Sequence, residues 1–276
     1  MDDLFLRNKS AVVTGGASGL GFEIASCLAK HGANITVVSL SRDNSAKLDS
    51  ELKYFASQDE IHNAKERLES IGVMCLGFDG DISCQEDVDR VMEISFNSFG
   101  NLNILVNNAA TNHIHTVLNH DNNVWKRVID VNLFGSYLCA REALPFMIKS
   151  KWGRIISIAS TNAHVGSAEY SAYAASKHGL LGFNKSLAQE VAQYQITANT
   201  ISPAAIETPS GLMHMKKWAE RDNVTEEILR KKYLDTYPQK RFVPANEIAT
   251  LVAFLCRDEA AAINGEDIAI TTGAPF

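Results

Sequence analysis

The sequence predicts an α/β fold in which a doubly wound parallel sheet of about seven strands carries helices on both faces. Short apolar runs alternate along the chain with longer amphipathic segments, and buried strands that alternate with helices form parallel sheets. Right-handed crossovers then place helices on both faces. With 46% hydrophobic and 21% charged residues among 276, the chain has the composition of a globular protein with a sizeable core. We therefore expect one domain over residues 1–276.

The predicted elements follow one another in regular order. The strands are Ala11–Val13, Ile35–Val38, Gly72–Phe78, Ile104–Val106, Arg154–Ile158, Ile196–Ile201 and Asp267–Ile270. The helices are about Gly19–His31, Gln85–Phe99, Val124–Lys149 and Ser171–Tyr194. Two segments do not fit the alternation. Residues 43–67 are expected to form an inserted surface helix or loop, and residues 205–243 a substrate lid, because long insertions beside strand ends commonly carry function.

Charge and cysteine usage argue against several classes of protein. The net charge of -6 is the opposite of the clustered basic excess that nucleic-acid binding requires. The N-terminus is acidic where a signal peptide would be basic, and no apolar run is long enough to span a membrane. The five cysteines are scattered without C-x-x-C spacing, which indicates neither a zinc site nor a disulfide framework. We expect a cytoplasmic protein with no nucleic-acid or membrane partner.

A glycine-rich turn follows the first predicted strand and opens the first helix. It reads Thr14-Gly15-Gly16-Ala17-Ser18-Gly19-Leu20-Gly21. Glycine lets the backbone turn tightly and approach a pyrophosphate, whose charge is held by N–H groups at the helix N-terminus. Glycines alone would also suit a plain strand-to-helix turn. Their position, and the length of the crossover to the second strand, favour a dinucleotide site on a Rossmann-type sheet.

A tyrosine, a lysine and a serine suggest acid–base chemistry. Tyr173 and Lys177 are four residues apart on a predicted helix, so that both side chains lie on one face. Ser160 ends the fifth strand thirteen residues before Tyr173. A phenol with a pKa of about 10 is a poor acid–base group at neutral pH, but a nearby ammonium favours the phenolate. On its own this Tyr–Lys spacing is common, and a surface Tyr–Lys pair is its ordinary alternative.

These motifs together resemble the short-chain dehydrogenase/reductase family, over about Lys9–Gly273. The resemblance is carried by the T-G-x-x-x-G-x-G turn, by Asn107-Asn108-Ala109-Ala110 in place of N-N-A-G, and by Pro203-Ala204 in place of Pro-Gly. The spacing of Ser160, Tyr173 and Lys177, with Asn132 before them, also matches the family.

The resemblance implies a role for each of the four catalytic positions. Tyr173 would be the acid/base, and Lys177 would tune it and bond the nicotinamide ribose. Ser160 would hydrogen-bond the substrate oxygen and stabilise its developing charge. Asn132 would hold a water that connects Lys177 to solvent. The implied reaction interconverts a secondary alcohol and a ketone with NAD(P)(H).

The resemblance also implies which residues contact the cofactor, beside Tyr173 and Lys177. Ser39 stands at the end of the second strand, where a preference for NAD usually rests on an acidic residue. Arg42 and Ser41 can meet a 2′-phosphate, whereas the neutral Ser18 and the nearby Asp43 argue the other way. The balance slightly favours NADP(H) over NAD(H). The predicted cofactor contacts are Gly15, Ser18, Gly19, Leu20, Gly21, Ser39, Ser41, Arg42, Asp81, Ile82, Asn108, Ala109, Pro203, Ile206 and Thr208.

Several neighbouring side chains have less specific readings. Tyr170 is expected to line the pocket, and Asn162 and His164 are possible substrate contacts. The histidines His113, His115 and His120 are interpreted as pocket-wall or surface residues rather than as metal ligands, and no metal is expected. The predicted lid mixes apolar and basic side chains, namely Leu212, Met213, Met215, Trp218, Lys216, Lys217 and Arg221, which permits an apolar or an anionic small molecule as substrate.

Two other functions compete with alcohol–ketone interconversion. One is a different step on the same site, such as enoyl reduction. The other is a catalytically silent NAD(P)-binding regulatory module. Both are disfavoured because Asn132, Ser160, Tyr173 and Lys177 are all present. Relatives pair the helices that correspond to Val124–Lys149 and Ser171–Tyr194, so we expect a homotetramer or a homodimer.

Overall fold

The computed structural model describes residues 4–42 and 55–274. Its seven strands form one parallel sheet in the order β3-β2-β1-β4-β5-β6-β7. The strands are β1 Ser10–Thr14, β2 Asn34–Ser39, β3 Cys75–Asp79, β4 Ile104–Asn107, β5 Gly153–Ile158, β6 Ile196–Pro203 and β7 Asp267–Ile270. The predicted fold class is confirmed, and all seven predicted strands are present.

Helices cover both faces of the sheet. They are α1 Gly19–Lys30, α2 Gln58–Glu69, α3 Gln85–Phe99, α4 Asn122–Ile129, α5 Gly135–Ser150, α6 Ser171–Val191, α7 Pro209–Arg221, α8 Glu226–Thr236 and α9 Ala245–Leu255. Apolar side chains of α1, α2 and α9 share one core with the sheet. Those of α3, α5 and α6 share a second core with it. In the described ranges, no helix has both the length and the apolar character needed to cross a membrane.

Two glycines fix the shape of the turn between β1 and α1. Gly15 has a φ of 64°, in the left-handed region where residues with a Cβ are strained. A Cβ on Gly21 would lie 2.2 Å from the Gly15 carbonyl oxygen, so that only glycine fits there. The turn therefore leads directly into α1.

The segment expected as an insertion contains the crossover helix between β2 and β3. Of residues 43–67, positions 43–54 lie outside the described residues. The helix α2 begins with a capping box between Ser57 and Glu60, a pattern that satisfies two backbone donors at a helix start. It buries Ile61, Ala64 and Leu68 in the sheet core. The helical part is thus a packed layer of the fold rather than a surface addition.

The long helix predicted over Val124–Lys149 is divided in three. Between α4 and α5, residues Asp130–Phe134 form a π-helical turn. Asn132 lies within it and is buried. Single π-helical turns are rare and often occur at functional sites, because the wider turn redirects one side chain.

Residues 205–243 leave the sheet and return to it beside the same strand end. The backbone of Ile206 pairs with that of Val243 in an isolated bridge, and the Val243 amide donates to the Ala205 carbonyl at 3.0 Å. Between these two points the chain forms α7 and α8. This pairing fixes the point at which residues 205–243 leave the sheet.

Candidate active site

A cleft of about 680 Å³ lies at the carboxyl ends of the strands. The strand order reverses between β1 and β4, and parallel α/β sheets bind ligands at such a switch point. The turns after β1, β4, β5 and β6 line the cleft together with side chains of α6, α7 and α8. Its volume is within the range of small-molecule sites.

The hydroxyl of Thr14 joins the turn after β1 to the turn after β4. Its Oγ1 accepts hydrogen bonds from the backbone amides of Asn108 and Ala109, both at 3.0 Å. In return the Asn108 side chain donates to the Thr14 carbonyl at 2.9 Å. Gly15 and Gly21 pack against the Asn108 amide. The floor of the cleft is therefore held by side-chain bonds between two turns that are far apart in sequence.

The cleft fits a dinucleotide in shape and in its polar groups. Gly15, Ser18, Gly19 and Leu20 line it where α1 begins, so that the helix N-terminus faces the space a pyrophosphate would fill. A Cβ on Gly21 has no room. The other predicted contacts that line the cleft are Gly21, Ser39, Asp81, Ile82, Asn108, Ala109, Tyr173, Lys177, Pro203, Ile206 and Thr208.

Two predicted cofactor contacts, Ser41 and Arg42, do not line the cleft. Ser41 is buried, and its hydroxyl donates to the Asp79 carboxylate at 2.5 Å. The Arg42 side chain is exposed, and its Nε donates to the Phe55 carbonyl at 3.1 Å. Ser39 does line the cleft, and its Oγ accepts a hydrogen bond from the Ala17 amide at 3.2 Å. Ser41 is thus a structural residue at this strand end, because its hydroxyl holds the carboxylate of the neighbouring strand.

An ion pair that sequence reasoning missed lies in the cleft wall beside Ile82. Arg127 on α4 bonds the Asp81 carboxylate at 2.7 Å, and both side chains are largely buried. Both residues line the cleft. Ser83 also donates to Asp81 at 2.8 Å. The pairing fixes the position of the Asp81 carboxylate. Because 46 residues separate the two partners, no local sequence pattern predicts it.

Three of the four predicted catalytic residues meet at the middle of the cleft. Ser160 follows β5, and its side chain is hydrogen-bonded to that of Tyr173 on α6. The Lys177 ammonium lies 5.6 Å from the centroid of the Tyr173 ring and donates to the Ile158 carbonyl at 2.6 Å. Helical spacing of four residues places the phenol and the ammonium on one side of α6.

Burial shifts the pKa values of this pair in opposite directions. Desolvation raises the pKa of Tyr173, and the hydrogen bond from Ser160 partly offsets that rise. Desolvation lowers the pKa of Lys177 to about 8. Burial disfavours the charged form of each group. The protein alone thus keeps the phenol protonated at neutral pH and leaves the lysine close to titration.

Asn132, the fourth predicted residue, lies behind the cleft wall. Its amide nitrogen donates to the Thr111 carbonyl at 2.9 Å, and its Oδ1 accepts from the Thr111 amide at 2.8 Å. The same nitrogen donates to the Ser176 hydroxyl at 3.0 Å. In this structure Asn132 therefore joins the loop after β4 to α6, the helix of Tyr173.

The remaining candidates fall in three places. Tyr170 and Asn162 line the cleft. His164 does not; its Nε2 lies 2.8 Å from the Asp267 carboxylate, which ties the loop after β5 to β7. The His113 and His115 rings stack with centroids 4.8 Å apart, and His120 meets His113 edge-on at 4.9 Å. Over residues 4–42 and 55–274, no group of three or more His, Cys, Asp or Glu side chains is arranged to hold a metal ion.

The substrate end of the cleft is walled by large aromatic and apolar side chains. Trp218 on α7 and Tyr233 on α8 stack with their ring centroids 5.6 Å apart, and the Tyr170 ring lies 6.3 Å from that of Tyr173. The further wall residues are Met215, Tyr237 and Phe242. Sequence reasoning missed Tyr233, Tyr237 and Phe242, which carry no motif.

Known proteins of similar sequence identify the family of this chain. A family model described as enoyl-(acyl carrier protein) reductase matches residues 15–274. D-beta-hydroxybutyrate dehydrogenase from Rhizobium meliloti is 34% identical over 267 residues, covering 96% of this chain and 98% of that protein. The chain belongs to the short-chain dehydrogenase/reductase family.

Other family members agree along nearly the whole length. D-beta-hydroxybutyrate dehydrogenase from Cupriavidus necator is 35% identical over 94% of this chain and 95% of that protein. 3-oxoacyl-(acyl-carrier-protein) reductase from Aquifex aeolicus is 31% identical over 98% and 99% of the two chains. The crystal structure of levodione reductase superposes with a TM-score of 0.86 at 27% identity and covers 97% of each chain.

The family places this protein among the NAD(P)(H)-dependent oxidoreductases that act on CH–OH groups and interconvert secondary alcohols and ketones. The relatives named above are enzymes, and they give no support to a silent cofactor-binding module. The family model carries an enoyl reductase description, whereas the relatives carry dehydrogenase and 3-oxoacyl reductase names.

The buried lysine predicts a measurable cost in stability. The pKa of a lysine near 10.5 falls to about 8 at Lys177, so the unfolded chain binds more protons between these pH values. The penalty is therefore complete below pH 8 and is relieved as the pH rises toward 10.5. We expect cofactor-free Lys177→Met to be more stable than the wild type at pH 7, by about 1–3 kcal/mol. The advantage should shrink by pH 9.5.

Urea unfolding at the two pH values measures this difference. The exposed Lys231 on α8 gives a matched control, and Lys231→Met should change stability little at either pH. A Lys177→Met variant that is no more stable than the wild type at pH 7 would contradict the argument from burial.

Proposed function

We propose that Tyr173 is the acid/base of the reaction, with Ser160 and Lys177 acting on it. The observation that carries the proposal is the hydrogen-bonded Ser160–Tyr173 pair beside a buried ammonium, in the middle of a dinucleotide-sized cleft. When bound, the nicotinamide supplies or accepts the hydride. The protein's own groups must then deliver a proton to the carbonyl oxygen, or remove one from the alcohol.

Each residue has one task in that proton transfer. Tyr173 gives its phenolic proton to the substrate oxygen in reduction and takes it back in oxidation. Ser160 donates to the same oxygen and stabilises its charge as it develops. Lys177, held on the Ile158 carbonyl, stabilises the phenolate that remains. Asn132 holds the backbone of Thr111 and the hydroxyl of Ser176, which fixes α6 against the cleft floor.

Replacing the phenol tests this assignment. Tyr173→Phe keeps the ring and removes the proton, so we expect turnover to fall by about 10²–10⁴ while the dissociation constant of the cofactor changes less than threefold. Turnover is followed at the nicotinamide absorbance, and cofactor binding by fluorescence titration. Tyr170→Phe removes the neighbouring phenol and is the control, for which a much smaller loss is expected. Wild-type turnover in Tyr173→Phe would rule out the mechanism.

We further propose that the site prefers NADP(H) over NAD(H). The described residues that line the end of β2 are Ser39, Leu40, Phe55 and Ala56, and none carries the carboxylate that would bond a ribose 2′-hydroxyl and repel a 2′-phosphate. Arg42 begins the adjoining segment, but it stands outside the cleft lining. The preference therefore rests on the missing carboxylate rather than on an arginine clamp.

Restoring the carboxylate should reverse the preference. In Ser39→Asp we expect the dissociation constant of NADPH to rise about 10- to 100-fold, which corresponds to ~1.5–3 kcal/mol for a charged contact, and that of NADH to fall. Ser39→Asn is the uncharged control and should leave the NADPH constant within a fewfold of wild type. Calorimetric titration of both cofactors measures the change. Equal shifts for the two cofactors would show that Ser39 does not face the 2′ position.

We propose that α7 and α8 form a lid over the substrate, on a single catalytic domain. The two helices lie between Ala205 and Val243, whose backbones are hydrogen-bonded to each other, and their side chains wall the substrate end.

We also propose a cytoplasmic location. It is supported by the five cysteines, which are all free thiols, as a reducing compartment would keep them.

We propose that α4, α5 and α6 form the contact of a homotetramer, or of a dimer. Large apolar side chains are exposed there: Trp125 is 37%, Phe134 46% and Tyr137 38% exposed. The Phe134 and Tyr137 rings lie 5.8 Å apart, and Tyr137 also meets Phe183 on α6. Exposed apolar patches of this kind mark association surfaces.

A charge at the centre of this patch should break the assembly. We expect the wild type at micromolar concentration to have two or four times the 30.2 kDa mass of the chain, and Phe134→Glu to shift it toward a single chain, because a buried unpaired carboxylate opposes association. Met74→Glu, at another exposed apolar position, is the control. Light scattering that shows only single chains for the wild type would refute the proposal.

A further inference from the structure

We propose that the substrate is an uncharged ketone, or the matching secondary alcohol, whose carbonyl carbon bears an aryl or other flat ring, and that the site rejects carboxylate-bearing substrates. This inference rests on the proposed function and names its substrate class. It separates the protein from the relatives whose names include hydroxybutyrate, which is a carboxylate.

The first argument comes from charge. Of the described side chains that line the substrate end, Lys177 and Glu207 are the ones that can carry charge at neutral pH. Lys177 is 3% exposed and donates to the Ile158 carbonyl, and by the mechanism it serves Tyr173. Among these described side chains, a carboxylate would lose its hydration without gaining a cation of its own, which is strongly unfavourable.

The second argument comes from two arginines of α7 and α8, Arg221 and Arg230. Arg230 bonds the Glu207 carboxylate at 2.6 Å and rests 4.9 Å from the centroid of the Phe242 ring. Arg221 bonds Glu169 at 3.0 Å and Asp222 at 2.9 Å. Each arginine is thus already neutralised by an acid, and neither lines the cleft. A substrate carboxylate would have to displace Glu207 or Glu169 to reach them.

The third argument comes from the shape and chemistry of the wall. Trp218 and Tyr233 stack almost parallel, with 17° between their planes, and both line the cleft beside Tyr170 and Phe242. Burial raises the pKa of Tyr170 and of Tyr233, so the wall stays uncharged in the working range. Aromatic rings attract one another face to edge or with offset faces. A flat apolar group is what such a wall accommodates best.

The reaction on such a substrate balances with the groups already named. The carbonyl carbon gains the hydride of the reduced nicotinamide, and the carbonyl oxygen gains the Tyr173 proton. The products are the secondary alcohol, the oxidised cofactor and a phenolate that solvent reprotonates. No further reactant is needed.

A matched pair of ketones tests the inference. Methyl 4-acetylbenzoate and 4-acetylbenzoate have the same carbonyl and ring and differ in one charge, and acetoacetate represents the aliphatic acids. With reduced cofactor, we expect kcat/KM for the ester to exceed that of each acid by at least 100-fold. An acid that is reduced as well as the ester overturns the inference.

Calorimetric binding to the enzyme–cofactor complex separates this inference from the proposed function. Binding of the ester without turnover, and without binding of 4-acetylbenzoate, would overturn the proposed reaction and support the substrate class. Failure of the ester to bind, or equal binding of the acid, overturns the substrate class whatever the turnover.

Two pairs of variants locate the cause in the wall. Met215 lines the cleft, and Met215→Lys adds a cation to a side chain of similar length; it should raise the acid-to-ester ratio of kcat/KM at least 10-fold, whereas Met215→Leu should not. Trp218→Ala should raise KM for the ester about 10-fold and leave the NADPH dissociation constant within twofold. Phe254→Ala, at an exposed aromatic outside the cleft, should change neither. An unchanged ratio in Met215→Lys shows that missing charge is not what excludes the acid.

Discussion

The site depends most on the hydrogen bonds that the Thr14 hydroxyl accepts. This hydroxyl is fully buried at the end of β1, and its two amide partners belong to the turn after β4. Because the strand order reverses between these two strands, their turns diverge and would leave a gap between them. The hydroxyl closes the bottom of that gap without filling its top, and the open top is the cleft. A threonine suits this place because one small side chain can accept from two amides.

From that contact a chain of hydrogen bonds and a short stretch of backbone lead to α6, the helix of Tyr173. The loop after β4 continues from Ala109 to Thr111, whose amide and carbonyl both bond Asn132. Asn132 reaches Ser176, and the Ser176 hydroxyl donates to the Tyr173 carbonyl at 2.7 Å. The glycine-rich turn and Tyr173, the proposed proton donor, are therefore positioned by one network. A network of fully bonded, buried groups is rigid, and hydride transfer needs such fixed geometry between cofactor and acid.

Much of this could be predicted from the sequence, and the exceptions have physical reasons. Parallel strands are buried on both faces, so they are recognisable as apolar runs. Ser160 after β5 and the Tyr173–Lys177 pair on α6 are recognisable by their spacing. The π-helical turn around Asn132 was not predicted because Val124, Val128 and Val131 keep a helical spacing into it. Arg42 and Ser41 were predicted in the cleft because they follow β2. Ser41 is instead bonded to Asp79, 38 residues away, and such distant partners leave no local pattern.

The same reasoning explains why family membership specifies the chemistry of this protein more closely than its substrate. Ser160 follows β5, and Tyr173 and Lys177 stand on α6, so that all three are held by elements packed into the layers of the sheet. The substrate wall comes largely from α7 and α8, which leave the sheet at Ala205 and return at Val243. Substitutions on these two helices change the wall without disturbing the sheet. A protein about one-third identical to hydroxybutyrate dehydrogenases can therefore share alcohol–ketone chemistry with them and, by our proposal, take a different substrate.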